Sequence, residues 1–411
     1  MKLACRHAAL PLGTTIALLL GAAGVQAAGF NVPEISTGGL GTANSVVANP
    51  RMLGAVPYNP SLAAFHAGTT LAGGLMLVHP ESEVTTAAPN TIVTADFQGK
   101  DNVLIPNLSV THQIDDQFTL AFSTSVPFGL STNYPVNTFS ILGAANSPTK
   151  SQVEVIDISP SLAFKISPDT SFAIGVDYYW ARKVAFDTGS LANKGDGDGW
   201  GWNISASHVA GPWSFGASFR SHAEADISGT TSAGGLTTGG TRTTLDIPWR
   251  AQIGVRYQVN SALALEADIT RTGWSSFDIL RISHNHPGVP LNPIVSENHW
   301  KDTNAYRLGG TYQLSANTEL RFGYSFDEGA MPDAYFSART ADADRHLLSI
   351  GVEHQLGNGL AIEAGYMLVK FADKSFRSTT APVTDPNGTL AYNGDYKTTV
   401  HLLGIGLSKR F

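Results

Sequence analysis

Apolar and polar residues alternate one by one along most of this chain, and the charged residues keep to one side of the alternation. In residues 171–180 the apolar set is Phe172, Ile174, Val176, Tyr178 and Trp180. The residues between them are Ser171, Ala173, Gly175, Asp177 and Tyr179. Successive side chains of a β-strand point to opposite faces, so a period of two predicts strands with one apolar face.

The same separation recurs in residues 118–123, 245–257, 263–269, 306–314 and 320–327. A basic residue that faces lipid at mid-bilayer costs about 2–4 kcal/mol, so the charged faces should point into a lumen and the apolar faces outward. A soluble β-sandwich would alternate too, with its charged face outside. The pattern therefore predicts an all-β fold, a transmembrane antiparallel β-barrel.

Connections between the predicted strands alternate between short and long. The short ones lie near residues 114–117, 167–170, 210–212, 259–261, 315–317 and 357–359, and each carries Asn, Asp, Gly or Pro. The long ones lie near residues 81–102, 127–152, 182–199, 226–244, 272–303, 328–345 and 372–397. Short periplasmic turns and long external loops are typical of outer-membrane barrels, and this alternation joins about 14 strands with both chain ends in the periplasm.

The first 66 residues do not alternate. Residues 1–27 have a basic start, an apolar run and a small-residue cleavage site, which predicts a secretory signal peptide. The single cysteine, Cys5, lies within it. Residues 28–66 are rich in Gly and Pro and are predicted to form a hatch inside the lumen, and within residues 28–65 only Glu34 and Arg51 are charged. Residues 67–411 then form the barrel.

Composition supports this class and excludes others. Charged residues make up 14% of the chain, against about 25% in an average soluble domain. The net charge of −7 argues against a nucleic-acid binder. The motifs Gly-x-Ser-x-Gly and His-Glu-x-x-His are absent, so no enzyme and no cofactor is predicted. His284, His286 and His299 could form a metal site on the longest loop, but an ordinary solvated loop accounts for them better. No metal is therefore predicted.

The chain ends on Phe411, after a strand that alternates from residue 398 onward. A terminal aromatic residue in this context predicts recognition by the outer-membrane assembly machinery. The other expected partners are outer-membrane lipid and lipopolysaccharide.

Short stretches spread over the chain, in this order and spacing, resemble the FadL family of outer-membrane transporters for long-chain fatty acids and other hydrophobic compounds. They are Ala28-Gly-Phe30, Gly38-Gly-Leu-Gly41, Tyr58-Asn-Pro-Ser61, Val126-Pro-Phe-Gly-Leu-Ser131, Asp157-Ile-Ser-Pro-Ser-Leu-Ala-Phe-Lys165, Gly197-Asp-Gly-Trp200, Thr272-Gly-Trp-Ser-Ser-Phe277, Trp300-Lys-Asp302, Pro332-Asp333 and Asp342-Ala-Asp-Arg345. The resemblance covers nearly all of the chain after the signal peptide. It implies a monomeric fourteen-stranded barrel with an N-terminal hatch.

The resemblance also implies a mechanism. External loops capture the ligand, a tighter lumen pocket beside Phe30 receives it, and hatch movement with a kink in the third strand releases it sideways into the membrane. That strand is expected at about residues 117–126, with Phe118, Leu120 and Phe122 as its wall residues. Asn59, Pro60 and Ser61 stand where the family commonly has Asn-Pro-Ala in the hatch, and the extra hydroxyl needs a partner.

The expected function is passive uptake of long-chain fatty acids, with an aromatic-hydrocarbon channel of the same family or a general porin as the alternatives. A fatty acid carboxylate would need a cation in the lumen, and the candidates are Arg256, Arg321 and Arg345, each of which could instead pair with a lumen acid such as Asp246, Glu266, Glu319 or Asp327. An aromatic-hydrocarbon channel of the same family needs no cation. A general porin would lack a hatch.

Overall fold

The computed structural model describes residues 29–97 and 102–411. The predicted signal peptide lies outside the described residues. The strands are β1 Thr69–Thr86, β2 Thr94–Asp96, β3 Val103–Gln113, β4 Phe118–Asn133, β5 Pro148–Ser167, β6 Thr170–Thr188, β7 Leu191–Ala210, β8 Trp213–Arg220, β9 Ala223–Ala233, β10 Leu236–Ile247, β11 Arg250–Gln258, β12 Leu263–Thr272, β13 Ile279–Ile282, β14 Ile294–Glu297, β15 Thr303–Ser315, β16 Thr318–Asp327, β17 Arg345–Gly357, β18 Leu360–Phe371, β19 Lys374–Phe376 and β20 Gly394–Arg410. The helices are α1 Thr37–Leu40 and α2 Gly143–Asn146, with single 3₁₀ turns at Leu53–Ala55, Pro60–Phe65, Ser140–Leu142, Trp274–Ser276, Asp333–Tyr335 and Leu390–Tyr392.

The strands form a closed antiparallel barrel of 14 strands. Each strand pairs with its neighbours in the chain, and β1 closes the ring on β20 from Thr70↔Arg410 to Thr86↔Gly394. β8 and β9 together form one barrel strand, because β7 pairs with both of them. β10 and β11 together form the next barrel strand, in which β10 pairs with β9 and β11 pairs with β8. β13 and β14 form a separate external hairpin.

The predicted faces hold in the membrane-facing wall. Ile174 is 57% exposed and points outward, whereas Asp177 on the opposite parity is fully buried inside. The side chains of Phe172, Val176 and Trp180 are also exposed. No helix in the described part of the chain has the length and apolarity to cross a bilayer.

Two of the predicted long loops are instead tall hairpins. β6 and β7 extend to a tight turn at residues 189–190, and β9 and β10 meet at Gly234 and Gly235, both of which have positive φ. The alternating Gly and Asp residues at positions 195–198 are predicted to lie in a loop, but they form strand pairs with β9. A side chain at Gly197 would collide with the backbone of Asp226, which explains the glycine.

The two broken strands also reverse their faces. Arg250 and Gln252 on β11 point inward, but across the two-residue interruption Leu245 and Ile247 point inward on β10. The parity pattern predicts an outward position for Leu245 and Ile247, and that prediction is wrong. The interruption shifts the register by one residue, and the upper half of the barrel therefore has an apolar interior.

Residues 29–66, here called the hatch segment, are almost entirely buried against the inward face of the barrel. Asp268 on β12 accepts hydrogen bonds from the backbone N–H groups of Val46 and Val47, at 2.9 and 3.1 Å. Glu266 accepts one from Ala48 at 2.8 Å. At Gly216 and Gly323 the wall has no side chain, and the backbone of the hatch segment occupies the space that a Cβ would need.

Candidate ligand pathway

A groove opens between the external connections. Its volume is about 590 Å³, and it lies between the tips of the β6–β7 and β9–β10 hairpins and the connections 134–147, 273–302 and 372–393. Its apolar lining residues are Leu142, Leu191, Val289, Pro290, Leu291, Ile294, Val295 and Val383. The groove is larger than the cavity that lies deeper in the barrel, which has a volume of about 70 Å³.

A second, smaller cavity of about 70 Å³ lies deeper in the barrel. Its lining is mostly apolar and comprises Phe30, Leu130, Val153, Val184, Leu245, Phe277, Leu280 and Ile282 among others. Leu245 belongs to this lining because of the reversed faces of β10. We call this space the inner cavity.

Phe30 forms the floor of the inner cavity. It is 1% exposed, and its ring lies 4.7 Å from that of Trp274, 5.3 Å from Phe277 and 6.0 Å from Phe128, measured between centroids. The position beside an inner pocket agrees with what the resemblance implies for this residue. Its contact with a ligand stays a prediction.

Arg339 lines both the groove and the inner cavity. Its Nη1 donates to Ser151 Oγ and to the backbone oxygen of Asp187, each at 2.9 Å, and the guanidinium lies 3.7 Å from the centre of the Phe186 ring. Within residues 29–97 and 102–411, no carboxylate oxygen lies within 4.0 Å of its guanidinium nitrogens, although Asp187 and Asp385 act on it from farther away. Burial lowers the pKa of Arg339, because desolvation disfavours its charged form.

The three arginines predicted from parity or motif do point into the lumen, but the structure brings none of them to the wall of either cavity. Arg256 lies opposite Glu266, with Nε 4.0 Å from Oε2, and Arg345 lies opposite Asp327, with Nη2 2.8 Å from Oδ2. Arg321 contacts three glutamates, Glu319, Glu353 and Glu363. Their charges are neutralised by these acids.

The sequence does not single out Arg339. It lies in the connection 328–344, outside every alternating segment, so parity cannot place it. Its place three residues before Asp342 is the only local hint, since Asp342 belongs to a stretch that carries the resemblance. Only the fold shows that this loop reaches across to Ser151 and Phe186.

The hatch motif is held to the wall at β7. Asn59 donates through Nδ2 to the Val47 oxygen at 2.8 Å and to Ser207 Oγ at 3.0 Å, and its Oδ1 caps the 3₁₀ turn that begins at Pro60. The hydroxyl of Ser61 lies 2.6 Å from both Asn59 Oδ1 and Ser207 Oγ. The additional hydroxyl therefore has the partners that the sequence requires.

The third barrel strand, β4, is longer than predicted and is interrupted in its outer half. Among the described residues it pairs with β3 only up to Leu108↔Thr124, and its pairing with β5 shifts between Ser125 and Phe128. Beyond Thr124 the hatch segment supplies the bonds instead: Val32 N–H donates to the Pro127 oxygen and Gly129 N–H to the Phe30 oxygen, each at 2.8 Å. A gap thus separates β3 from the outer half of β4.

Phe118, Leu120 and Phe122 lie in the other half of β4. Leu120 and Phe122 are paired with His112 and Val110 of β3 and are exposed toward lipid, and Phe118 is paired with Phe164 of β5. The gap begins at Ser125, three residues after Phe122, so these residues lie before the gap rather than within it. Pro127, which cannot donate to a ladder, is the sequence signal for the interruption.

The three loop histidines do not converge on one site, although the backbone N–H of His286 donates to His284 Nδ1 at 3.2 Å. His284 and His286 are buried, and their Nε2 atoms bond to the backbone oxygens of Leu291 and Leu236. His299 contacts Asp278 instead. In the described part of the chain, His222, Glu224 and Asp246 have potential ligand atoms within 4.8 Å of one another, at an exposed position.

The chain matches a family model described as "Outer membrane protein transport protein (OMPP1/FadL/TodX)" over residues 18–411. The protein belongs to this family. Members of the FadL family are transport channels, and this protein is accordingly an outer-membrane β-barrel transporter of hydrophobic compounds.

Relatives in the FadL family have modest identity over almost the full length. The long-chain fatty acid transport protein of Escherichia coli O6:H1 is 24% identical over 437 residues, covering 93% of this chain and 94% of that protein. Outer membrane protein P1 of Haemophilus influenzae is 23% identical, covering 96% and 98%.

Solved structures show the same fold. A FadL homologue of Pseudomonas aeruginosa has a TM-score of 0.78 at 18% identity and covers 93% of this chain and 100% of that one. The toluene transporter TbuX of Ralstonia pickettii has a TM-score of 0.68 at 14% identity, with the same coverage.

Proposed function

We propose that this FadL-family protein is a passive uptake channel for long-chain fatty acids. The external groove captures the acid, the inner cavity receives its alkyl chain, and the gap between β3 and β4 releases it sideways after the hatch segment moves. Sideways release spares the alkyl chain from re-entering water, which costs about 0.8 kcal/mol per CH₂. No energy source is required, since consumption of the ligand in the cell maintains the gradient.

Arg339 is the observation that carries the choice of a fatty acid. A buried cation without a close carboxylate is unfavourable unless a ligand supplies the anion. Arg339 lies where the groove meets the inner cavity, so a carboxylate held there would place its alkyl chain among the apolar residues below. Such charge-assisted hydrogen bonds contribute about 1.5–3 kcal/mol.

An aromatic-hydrocarbon channel is the second candidate. The mostly apolar lining of the inner cavity and its aromatic floor would suit a ligand without a charged group. Two similar structures of toluene transporters have the same fold, which leaves the ligand open. Arg339 distinguishes the two candidates because only an acid uses it.

The test is equilibrium binding of a long-chain fatty acid and of toluene to purified protein in detergent. We expect Arg339→Met to weaken fatty acid binding at least about tenfold, Arg339→Lys to restore part of it, and toluene binding to be unaffected. Arg281→Met, a change of an exposed arginine on β13, is the matched control. Fatty acid binding that is indifferent to Arg339→Met, or binding of toluene alone, would overturn the proposal.

A further inference from the structure

A second arginine of the interior lacks a close carboxylate. Most of the inward-facing arginines have a carboxylate oxygen within 4.0 Å; they are Arg220, Arg256, Arg307, Arg321 and Arg345. Within residues 29–97 and 102–411, Arg250 at the start of β11 has none. It shares this property with Arg339, but it lies on the opposite side of the aromatic floor.

The surroundings of Arg250 leave most of its hydrogen-bonding capacity free. A guanidinium has five N–H donors, and the only protein acceptor found for Arg250 in the described residues is Asn31 Oδ1, at 3.4 Å from Nη1. The side chain lines a cavity of about 40 Å³ together with Ser218, Gln252 and Thr270. The remaining donors therefore face a small cavity of mixed lining rather than a fixed partner.

The nearby acids are bound by another residue. Arg220 Nη1 contacts both Asp157, at 3.2 Å, and Asp177. Asn203 donates a further hydrogen bond to Asp177 at 2.8 Å. These two carboxylates balance the charge of Arg250 from beyond 4.0 Å, but they do not occupy its donors.

Arg250 also lies where the ligand route reaches the wall. Its guanidinium is 5.3 Å from the centre of the Phe128 ring, on the interrupted part of β4. Asn31, its hydrogen-bond partner, forms a bridge with the same Phe128, and Phe128 packs on Phe30. Arg250 thus contacts the hatch segment and the edge of the gap, directly beyond the floor of the inner cavity.

We propose that Arg250 is a second carboxylate-binding residue, which receives the head group of an alkyl carboxylate from Arg339 as the ligand passes into the gap between β3 and β4. An ionised carboxylate between these points would lose its hydration without compensation, so a second cation lowers the barrier to leaving the first. Sites in series also let each be weak enough to release the ligand. This inference rests on the proposed function.

The test separates transfer from capture. Fatty acid and the long-chain alcohol of the same length are delivered through the protein into liposomes, and both rates are measured for wild type, Arg250→Met, Arg250→Lys and the exposed control Arg281→Met. We expect Arg250→Met to slow fatty acid transfer about tenfold relative to alcohol transfer, Arg250→Lys to recover much of the rate, and the control to behave as wild type.

The outcomes for the two proposals differ. If Arg339→Met weakens fatty acid binding but Arg250→Met leaves the acid-to-alcohol ratio unchanged, only the role of Arg250 is overturned. Equal slowing of acid and alcohol would mean that Arg250 only holds Asn31 and Phe128 in place, and it would also overturn this inference. If Arg339→Met leaves fatty acid binding intact, the proposed function itself fails.

Discussion

At the residue scale, the hatch motif illustrates how one side chain can hold two parts of the molecule together. Asn59 reaches Val47 in the hatch segment and Ser207 on β7 with one amide group, while its oxygen caps a 3₁₀ turn. Ser61 adds a hydroxyl to this network. The two side chains are therefore unequal: Ser61 extends a network that Asn59 creates.

We expect Asn59→Ala to loosen the hatch segment more than Ser61→Ala does. Loss of Asn59 leaves a buried backbone oxygen without its donor, at about 1–3 kcal/mol, and removes the cap. Ser61→Ala restores the residue that is common in the family and should cost about 1 kcal/mol or less. Hydrogen exchange of residues 44–66 measures both. Equal protection in Asn59→Ala and wild type would contradict this account.

The residue scale also shows where sequence reasoning stops. Alternation places Arg256 and Arg321 in the lumen, because the face of a strand residue follows from its parity, and Arg345 is predicted from the motif Asp342-Ala-Asp-Arg345. Their neutralisation by acids depends on which strands are adjacent and in what register, as in Arg256↔Glu266. Arg339 and its contacts with Ser151 depend on the fold of a loop, which no periodic pattern describes.

At the scale of elements, the external connection 328–344 is tied to the start of the hatch segment. Asp342 accepts hydrogen bonds from the N–H groups of Ala330 and Met331, at 2.5 and 3.2 Å, and one from Gly29. Burial raises the pKa of Asp342 from 3.8 to about 6, partly offset by these bonds and by Arg345. Movement of the hatch segment must therefore disturb this loop.

The raised pKa makes the contact depend on pH. A carboxyl group that binds its proton more tightly in the folded state stabilises that state most below its unfolded pKa of 3.8, and this contribution is lost as the pH rises through about 6. The difference corresponds to about 3 kcal/mol. We expect protection of residues 29–35 from hydrogen exchange, corrected for the intrinsic rate, to increase from pH 7 to pH 4.5.

The control is Asp342→Asn, in which the local pH dependence should vanish while other titrating groups keep theirs. Wild type and Asp342→Asn with the same pH profile would show that another group is responsible.

The gap between β3 and β4 is the proposed exit for the fatty acid, and a cross-link across it tests that role. The last paired rung is Leu108↔Thr124, and Asn107 and Ser125 stand at the next one. The only cysteine, Cys5, lies in the predicted signal peptide. Asn107→Cys with Ser125→Cys, joined by a short reducible cross-linker, should therefore stop transfer of fatty acid to liposomes and leave equilibrium binding unchanged.

Reduction of the cross-link should restore transfer, and each single cysteine variant serves as its control. Transfer that continues through the cross-linked protein would exclude this gap as the exit.

At the scale of the whole molecule, strand number, antiparallel order and the outward apolar face follow from the sequence alone. These features repeat in every hairpin, so the predicted fold class does not change when one segment is assigned wrongly. The tall β6–β7 and β9–β10 hairpins and the reversed faces of β9 and β10 do not follow, because a two-residue interruption in each broken strand inverts the parity between its two halves. That inversion creates the apolar upper interior in which the inner cavity lies.

The barrel should be closed to ions only because the hatch segment fills it. A barrel of 14 strands is wide enough for a channel if it is left empty. We expect deletion of residues 29–66 to give a large, steady conductance in planar bilayers, with wild type nearly silent. Wild type that conducts as strongly as the deletion variant would favour a general porin.

The glycines beneath the hatch segment constrain which substitutions the barrel wall can accept during evolution. Gly216 and Gly323 are bare because the chain near Val47 and Thr42 lies directly on them. A substitution in the wall at either site would be harmless in an empty barrel and is excluded here only by a segment more than 150 positions away. The hatch segment and its wall must therefore change together, and a hatch grafted from a distant relative would fit only if the bare positions came with it.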